Sequence, residues 1–370
     1  MQEKVEFQHM QKVLLLCTKF CSYPLFLRLR EEGYDVYTCG NKKNDFLAQT
    51  FKQKWINIDY SNLEQVKDLY ESSKRPLIVP GTSDLSYLTS IKLIGSDDQI
   101  RLAETLHDKE KLKICLQSLG INTPKLFNKE KPRLTKVVVK PVDSFNSAGV
   151  SIVSVSCQYT IKKAIKKAIA NSKSSNCIIE EFVEGKQISV GCFIQDNKIR
   201  DLVTVREHSI VRKLNVDLSY PIGLTPKLKN YLIESIFKIT NHFNVKSAFF
   251  HFQLILKGDK LYFIEGQQRC PGDLYPLLFE GSQTDYIGLY LKQFVKGINI
   301  RNKDFDKDLF NIRFSLVGDA KNPMPANQIQ SKHKRYSVFT NPFSKASNGY
   351  FTYAIVIGQF EHRQTQTIKL

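Results

Sequence analysis

Residues 247–269, SAFFHFQLILKGDKLYFIEGQQR, constrain the fold of this chain more than any other segment. Two apolar runs flank Lys257, Gly258 and Asp259, a tight-turn signal, so the spacing predicts a β-hairpin. Its arms carry polar side chains among apolar ones, and those intruders need a reason. Gln253 and Glu265 fall on opposite arms, and Gln267, two residues beyond Glu265, shares its face because side chains alternate along a strand. Oxygen donors on adjacent strands suit Mg2+, which takes one or two carboxylates and completes its shell with water and nucleotide phosphates. Arg269 continues the same face, where a guanidinium can hold a carboxylate or phosphoryl group through paired hydrogen bonds. The competing reading of the hairpin alone is an exposed Glu265–Arg269 ion pair.

The 370 residues, 42% hydrophobic, suffice for a sizeable core in two or three units. Residues 12–95 alternate strand and helix signals: KVLLLC, a helix opening near Ser22 and Pro24, YDVYTC after Gly33, a helix from near Ser61, and PLIVPGTSD running into a loop at Gly81. This is a βαβ beginning. The turn after the first strand, CTKFCSY, has no glycine to let a backbone approach a pyrophosphate, so a nucleotide is expected elsewhere. No apolar stretch is long enough to span a membrane and Met1 to Gln11 is polar, so a cytoplasmic protein without membrane partners is expected. The eight cysteines lack CxxC spacing and read as free thiols, Cys17 and Cys21 included.

The formal charge of +18 would suit nucleic acid or a phosphorylated ligand. The lysines are spread throughout, however, and no RNA-recognition, helix-turn-helix or zinc-finger pattern occurs, so nucleic acid is not an expected partner. The densest basic run, IKKAIKKAIA at 161–170, puts Ile161, Ile165 and Ile169 on one face and reads as a solvated surface helix.

Further along, Asp108 is an N-cap for a helix carrying Leu112, Cys115, Leu116 and Leu119 and ending at Gly120. Two β-rich segments follow, KVVVKPVDSFNSAGVSIVSV and CIIEEFVEGKQISVGCFIQDNKIRDLV, and read as a small α+β lobe with the basic helix between them. A long helix runs from Thr225 and Pro226 to Phe243. The tail from 305 to 370 mixes short strands and loops, without an internal repeat.

Lys140 ends the apolar run Val137 to Val139, just before DSFNSAGV, a loop of small residues whose N–H groups can close over phosphates while the lysine supplies a point charge. Alone, it also reads as a solvated strand end. Glu180 to Gly185 follow the buried strand Cys177 to Ile179, where backbone groups can bind adenine and a carboxylate can take its exocyclic or ribose hydrogens; the bland reading is an acidic turn.

In order and spacing, LHDKEKLKICLQSLGINTPK, VVVKPVDSFNSAGVSIV, IIEEFVEGKQISV and HFQLILKGDKLYFIEGQQR resemble the ATP-grasp superfamily, especially its amino-acid ligase and carbamoyl-phosphate-synthase-like branches, over residues 12 to about 300. The resemblance implies mixed α/β and α+β architecture: a pre-ATP-grasp parallel-sheet domain, then an ATP-grasp fold of two α+β lobes with the nucleotide between them. The expected division is 1–95 for the pre-ATP-grasp domain, 96–136 for a linker and helical subdomain, 137–195 for the small lobe, 196–310 for the large lobe with the metal site, and 311–370 for the rest of that lobe or an add-on. By resemblance, Lys109 and Lys140 hold ATP phosphates, and Ser144 to Gly149, with Ser147, form the phosphate loop. Glu180, Glu181, Phe182 and Val183 form the adenine hinge. Glu265 bridges metals with Gln253 and Gln267 as further ligands, and Arg269 is the arginine of that motif. RCPGDLYPLLFEGSQTDY resembles the segment that closes the substrate pocket.

Three positions depart from the pattern: Gln187 stands where a glutamate usually binds ribose, Gln253 where glutamate is more common, and Gln267 where asparagine is usual. The resemblance implies an ATP-dependent carboxylate–amine ligase of amino-acid type, forming an acyl phosphate and releasing ADP and phosphate. Its cofactors are ATP and Mg2+, or Mn2+ in its place; its partners are small-molecule carboxylates and amines, in an assembly that is often a homodimer. Glu265, Lys140 and Arg269 are the catalytic candidates, with Arg206, His208 and Arg212 as substrate-facing additions. The alternatives are a degenerate nucleotide-binding regulator without ligation, and carboxy-phosphate or carbamoyl-phosphate chemistry.

Overall fold

Val13 to Leu16 are all buried, the mark of a strand covered on both faces, and Lys12–Leu16 (β1) is the centre of a parallel sheet. The computed structural model describes residues 10–127, 135–156, 158–209, 216–272 and 284–301, together with the backbone of three strands nearer the C-terminus. These residues fall into two compact units, neither continuous in sequence. The first draws on Met1–Gly95 and Arg269–Phe305, the second on Ser96–Gln268, Asp306–Thr340 and Ala346–Leu370.

In the first unit β1 pairs in parallel with Asp35–Cys39 (β2) and Leu77–Pro80 (β4), and the short Trp55–Ile56 (β3) completes the order β3-β2-β1-β4. Helix α1 (Tyr23–Glu31) has Pro24 in its first turn, where the missing N–H costs nothing. A short helix α2 (Phe46–Thr50) follows, and α3 (Leu63–Ser72) is capped by Asn62, whose side chain accepts from Glu64 N and Gln65 N. Helix α4 (Asp84–Ile94) leaves the end of β4 through Gly81, where a Cβ would fall 2.2 Å from that of Cys17. Leu14, Leu16, Cys39, Val66 and Ile78 form the core. The segment beginning at Asp285 belongs here too. The Asp285 carboxylate accepts from Arg28 Nη2 at 2.7 Å and from the backbone of Gly288 and Arg301.

In the second unit α5 (Asp97–His107) opens with a reciprocal Ser96/Gln99 capping box. Next, α6 (Lys109–Ser118) is capped by Asp108, which accepts from Glu110 N and Lys111 N. Lys136–Pro141 (β5), Ser151–Ser154 (β6) and Cys177–Glu181 (β7) make an antiparallel sheet ordered β6-β5-β7. Helix α7 (Gln158–Ala170) packs on it through Ala164, Ala168 and Ile165. Its buried stripe thus follows i, i+3, i+4, i+7 from Ile161, which leaves Ile169, expected on the apolar face, largely exposed.

The larger sheet has the order β12-β11-β8-β9-β10-β13-β15-β14. Its strands are Lys186–Gln195 (β8), Lys198–His208 (β9), Leu218–Pro221 (β10), Ala248–Lys257 (β11), Lys260–Gln267 (β12), Leu309–Asp319 (β13), Tyr336–Thr340 (β14) and Tyr350–Glu361 (β15). This corrects the expectation that 137–195 forms one lobe: β8 pairs with β9 and β11, so the small sheet ends at Glu181. Ile188, Val190, Cys192 and Ile194 of β8 and Phe250, Phe252 and Leu254 of β11 face a core closed by α5, α6 and α8 (Pro226–His242), the last capped by Thr225. The alternate residues of those strands face the other way, and there the polar side chains gather. Among the described residues no helix is long and apolar enough to cross a membrane.

Candidate active site

The hairpin lies where its turn residues put it, with Gly258 and Asp259 between β11 and β12. Gln253 stands directly opposite Glu265, and His251 opposite Gln267. Counting alternately from the buried Phe263 would drop Glu265 into the core. It does not go there, because Leu254 pairs with Phe263 and Gln253 with Glu265, leaving Ile264 as an extra residue in a β-bulge. The bulge resets the alternation: Glu265 and Gln267 share the face of Gln253, and Gly266 turns to the core. There a Cβ would come within about 3 Å of the Phe252 ring and Leu106.

Two buried lysines hold the bulge. Lys113 donates to Phe263 O at 2.6 Å, and Lys140 Nζ is 3.5 Å from Ile264 O. Both also face the Glu180 carboxylate, Lys140 at 2.7 Å and Lys113 at 3.4 Å. Burial alone would raise the Glu180 pKa, but the two ammonium groups override it and hold the carboxyl below its ordinary value. Lys113, fully buried, is pulled down to about 7 by desolvation, which Glu180 offsets only in part. Lys109, the first residue of α6, donates to Ser144 O at 2.7 Å, and its Nζ lies 3.8 Å from Glu265 Oε1.

Ser144 opens the turn carrying Ser147 and Gly149. Asn146, Ser147 and Gly149 have positive φ, and Ser144 Oγ donates to Ala148 O. Of the expected hinge, Glu180 turns its carboxylate inward to the lysines, while its backbone pairs with Val138 and bridges to Leu126. Glu181 and Phe182 are half-buried and Val183 is buried.

On the polar face of the large sheet, Ser189, Gln253 and Glu265 form one cross-strand row. Beside them Glu207, from β9 and only 2% exposed, accepts from Ser189 Oγ and Gln187 Nε2, each at 2.6 Å, and from Gln253 Nε2 at 3.3 Å. His251 Nδ1 lies 3.4 Å from Gln267 Oε1. Sequence reasoning named neither Lys113, Glu207 nor His251. Lys113 had a signal: 109, 112, 113 and 116 trace the buried stripe of α6, two lysines among them.

Three expected contacts are placed differently. Arg269 does not continue the face of Glu265, because β12 ends at Gln267 and the chain then enters the first unit, where Arg269 Nε donates to Asp84 at 2.8 Å. Arg206 is engaged by the carbonyls of Gln187 and Glu207, and His208 by Tyr220 Oη. Arg212 lies outside the described residues, as do 273–283 of the expected pocket-closing segment.

The donor set suits magnesium. Among the described residues no cluster of three or more His, Cys, Asp or Glu side chains is arranged to enclose a metal. Gln253, Glu265 and Gln267 instead offer oxygen from one sheet face beside a lysine, which fits an ion that relies on phosphate and water for most of its shell.

Residues 134–274 match the family model described as "ATP-grasp domain". The sequence matches no curated protein. Among solved structures, the chain is similar to carboxyaminoimidazole ribonucleotide synthase from Aspergillus clavatus complexed with ATP (TM-score 0.73, 13% identity, 95% of this chain and 94% of that one). It is also similar to L-amino acid ligase from Bacillus licheniformis (TM-score 0.71, 13% identity, 96% and 95%). A third is the biotin carboxylase domain dimer of the 2-oxoglutarate carboxylase from Hydrogenobacter thermophilus, in complex with MgADP, ADP and bicarbonate (TM-score 0.67, 16% identity, 95% and 86%). At these identities the likeness is one of fold. Family model and fold agree that residues 134–274 of this chain form an ATP-grasp domain.

Proposed function

We propose that the protein is an ATP-dependent ligase that activates a small-molecule carboxylate as an acyl phosphate and passes the acyl group to an amine. The observation that carries this reading is the pairing of Gln253 with Glu265 across the bulged hairpin, with Lys109 Nζ 3.8 Å from the carboxylate. ATP is a substrate here. Lys109 and Lys140 would neutralise its phosphates, the turn from Ser144 to Gly149 would close over them, and Glu181 to Val183 would border the adenine. Glu265, Gln253 and Gln267 would hold Mg2+, which supplies charge neutralisation at the phosphoryl group being transferred. The substrate carboxylate oxygen attacks the γ-phosphorus and ADP leaves; the amine then attacks the acyl carbon, and phosphate leaves with the C–O electron pair. Positioning and charge stabilisation do most of such chemistry.

The fold of the biotin carboxylase domain with bound bicarbonate supports a second reading, in which bicarbonate is the carboxylate activated. ADP release with ATP and Mg2+ over panels of amino acids, other carboxylic acids and bicarbonate separates the two. Glu265→Ala is expected to abolish the stimulated release. If no acid stimulates ADP release and ATP with Mg2+ leaves the melting temperature unchanged, the ligase reading fails.

A further inference from the structure

Glu207 is only 2% exposed and, in the reading above, touches no reacting atom, yet among the described residues it gathers three side-chain donors from two neighbouring strands. A glutamine side chain ends in an NH2 and an oxygen of similar size, and its surroundings decide which end points where. A carboxylate only accepts. Beside the Glu207 carboxyl oxygens both glutamines turn Nε2 toward them, leaving the oxygens of Gln187 and Gln253 directed elsewhere.

For Gln253 this matters most, since its place opposite Glu265 puts it on the same face of the sheet. Resting on the proposed nucleotide and Mg2+ site, we propose that Glu207 is a positioning residue acting through both glutamines. It fixes the Gln253 oxygen as a cation ligand and the Gln187 oxygen as an acceptor for nucleotide hydroxyls. Without Glu207 either amide is free to turn its NH2 outward, and an NH2 repels a cation.

The arrangement predicts a reversible exchange of roles. Glu207→Gln keeps the shape but lets both amides turn; Gln253→Glu sets two carboxylates against each other. In the double variant the NH2 of the amide at 207 takes the place of Oε2, which faces both residues 187 and 253: it donates to the carboxylate at 253 and to the oxygen of a turned Gln187, while the amide oxygen still accepts from Ser189, so the 207–253 contact is restored with its polarity reversed.

The test is calorimetric titration of ADP with and without Mg2+, alongside melting temperatures of the ligand-free proteins. Glu207→Gln is expected to weaken ADP binding in Mg2+ about tenfold or more, the usual effect of losing a group that orients a metal ligand, and to weaken Mg2+-free binding by a smaller factor, through Gln187. Gln253→Glu is expected to lower the ligand-free melting temperature. The double variant is expected to recover it and to bind ADP with Mg2+ within about threefold of the parent. Parent-like Mg2+-dependent affinity in Glu207→Gln, or additive melting-temperature changes in the double variant, would overturn the proposal. If the parent binds no nucleotide, the ligase reading falls, while the melting-temperature cycle still decides whether Glu207 and Gln253 form one unit.

Discussion

Glu180 is a buried carboxylate with two ammonium partners, one more than neutrality requires, and the surplus positive charge sits directly behind the bulge that presents Glu265. Lys113 is fully buried. Its folded pKa, near 7, lies below the ordinary 10.5, so between those values the unfolded chain binds more protons than the folded one and stability rises with pH. Lys113→Met is expected to flatten that rise, measured as unfolding free energy from urea titrations at pH 7 and pH 9.5. An unchanged slope would place the titration elsewhere. Lys109, Lys140 and Glu265 could be picked out from the sequence because each sits at a motif position. Glu207 could not: it lies between Arg206 and His208 in a strand whose partners come from β8 and β10, and only the sheet brings it to Gln187 and Gln253.

At the scale of elements, α6 carries most of the consequence, since one helix supplies both Lys109 and Lys113 and starts at a single cap. Asp108→Ala is expected to cost about 1 kcal/mol of stability and, by fraying the first turn, to weaken ATP affinity more than the affinity of a variant already lacking Lys109. Thermal melts and calorimetry on the two backgrounds would show it. Elements bounded by local chemistry were readable in the sequence: the Asp108 and Thr225 caps, the Gly258–Asp259 turn, and β1 as an unbroken apolar run. What escaped is non-local. The apolar pattern of β8 is compatible with either sheet, and only pairing with β11 assigns it. The bulge left a faint trace, the adjacent apolar pair Phe263–Ile264 just before Glu265, which breaks the alternation of that arm.

Across the whole molecule, the first unit is fastened by a buried ion pair between residues far apart in sequence. Asp285→Ala would leave Arg28, 3% exposed, charged and without its main partner, at an expected cost of about 3–5 kcal/mol. Calorimetry should show an early transition, while ADP affinity at low temperature should stay near that of the parent, since the proposed nucleotide residues belong to the second unit. Loss of ADP binding in that variant would mean that the units do not fold independently. The interleaving of the units also sets a timetable for synthesis. Arg28 emerges 257 residues ahead of Asp285, about 13 to 50 s at ordinary translation rates. The pairing of β10 with β13 likewise waits on late residues. Through that interval the nascent chain carries a guanidinium paired with Glu32 alone and an unfinished sheet edge, so these late segments, rather than the early β1, gate the passage of the newborn polypeptide to its protected state.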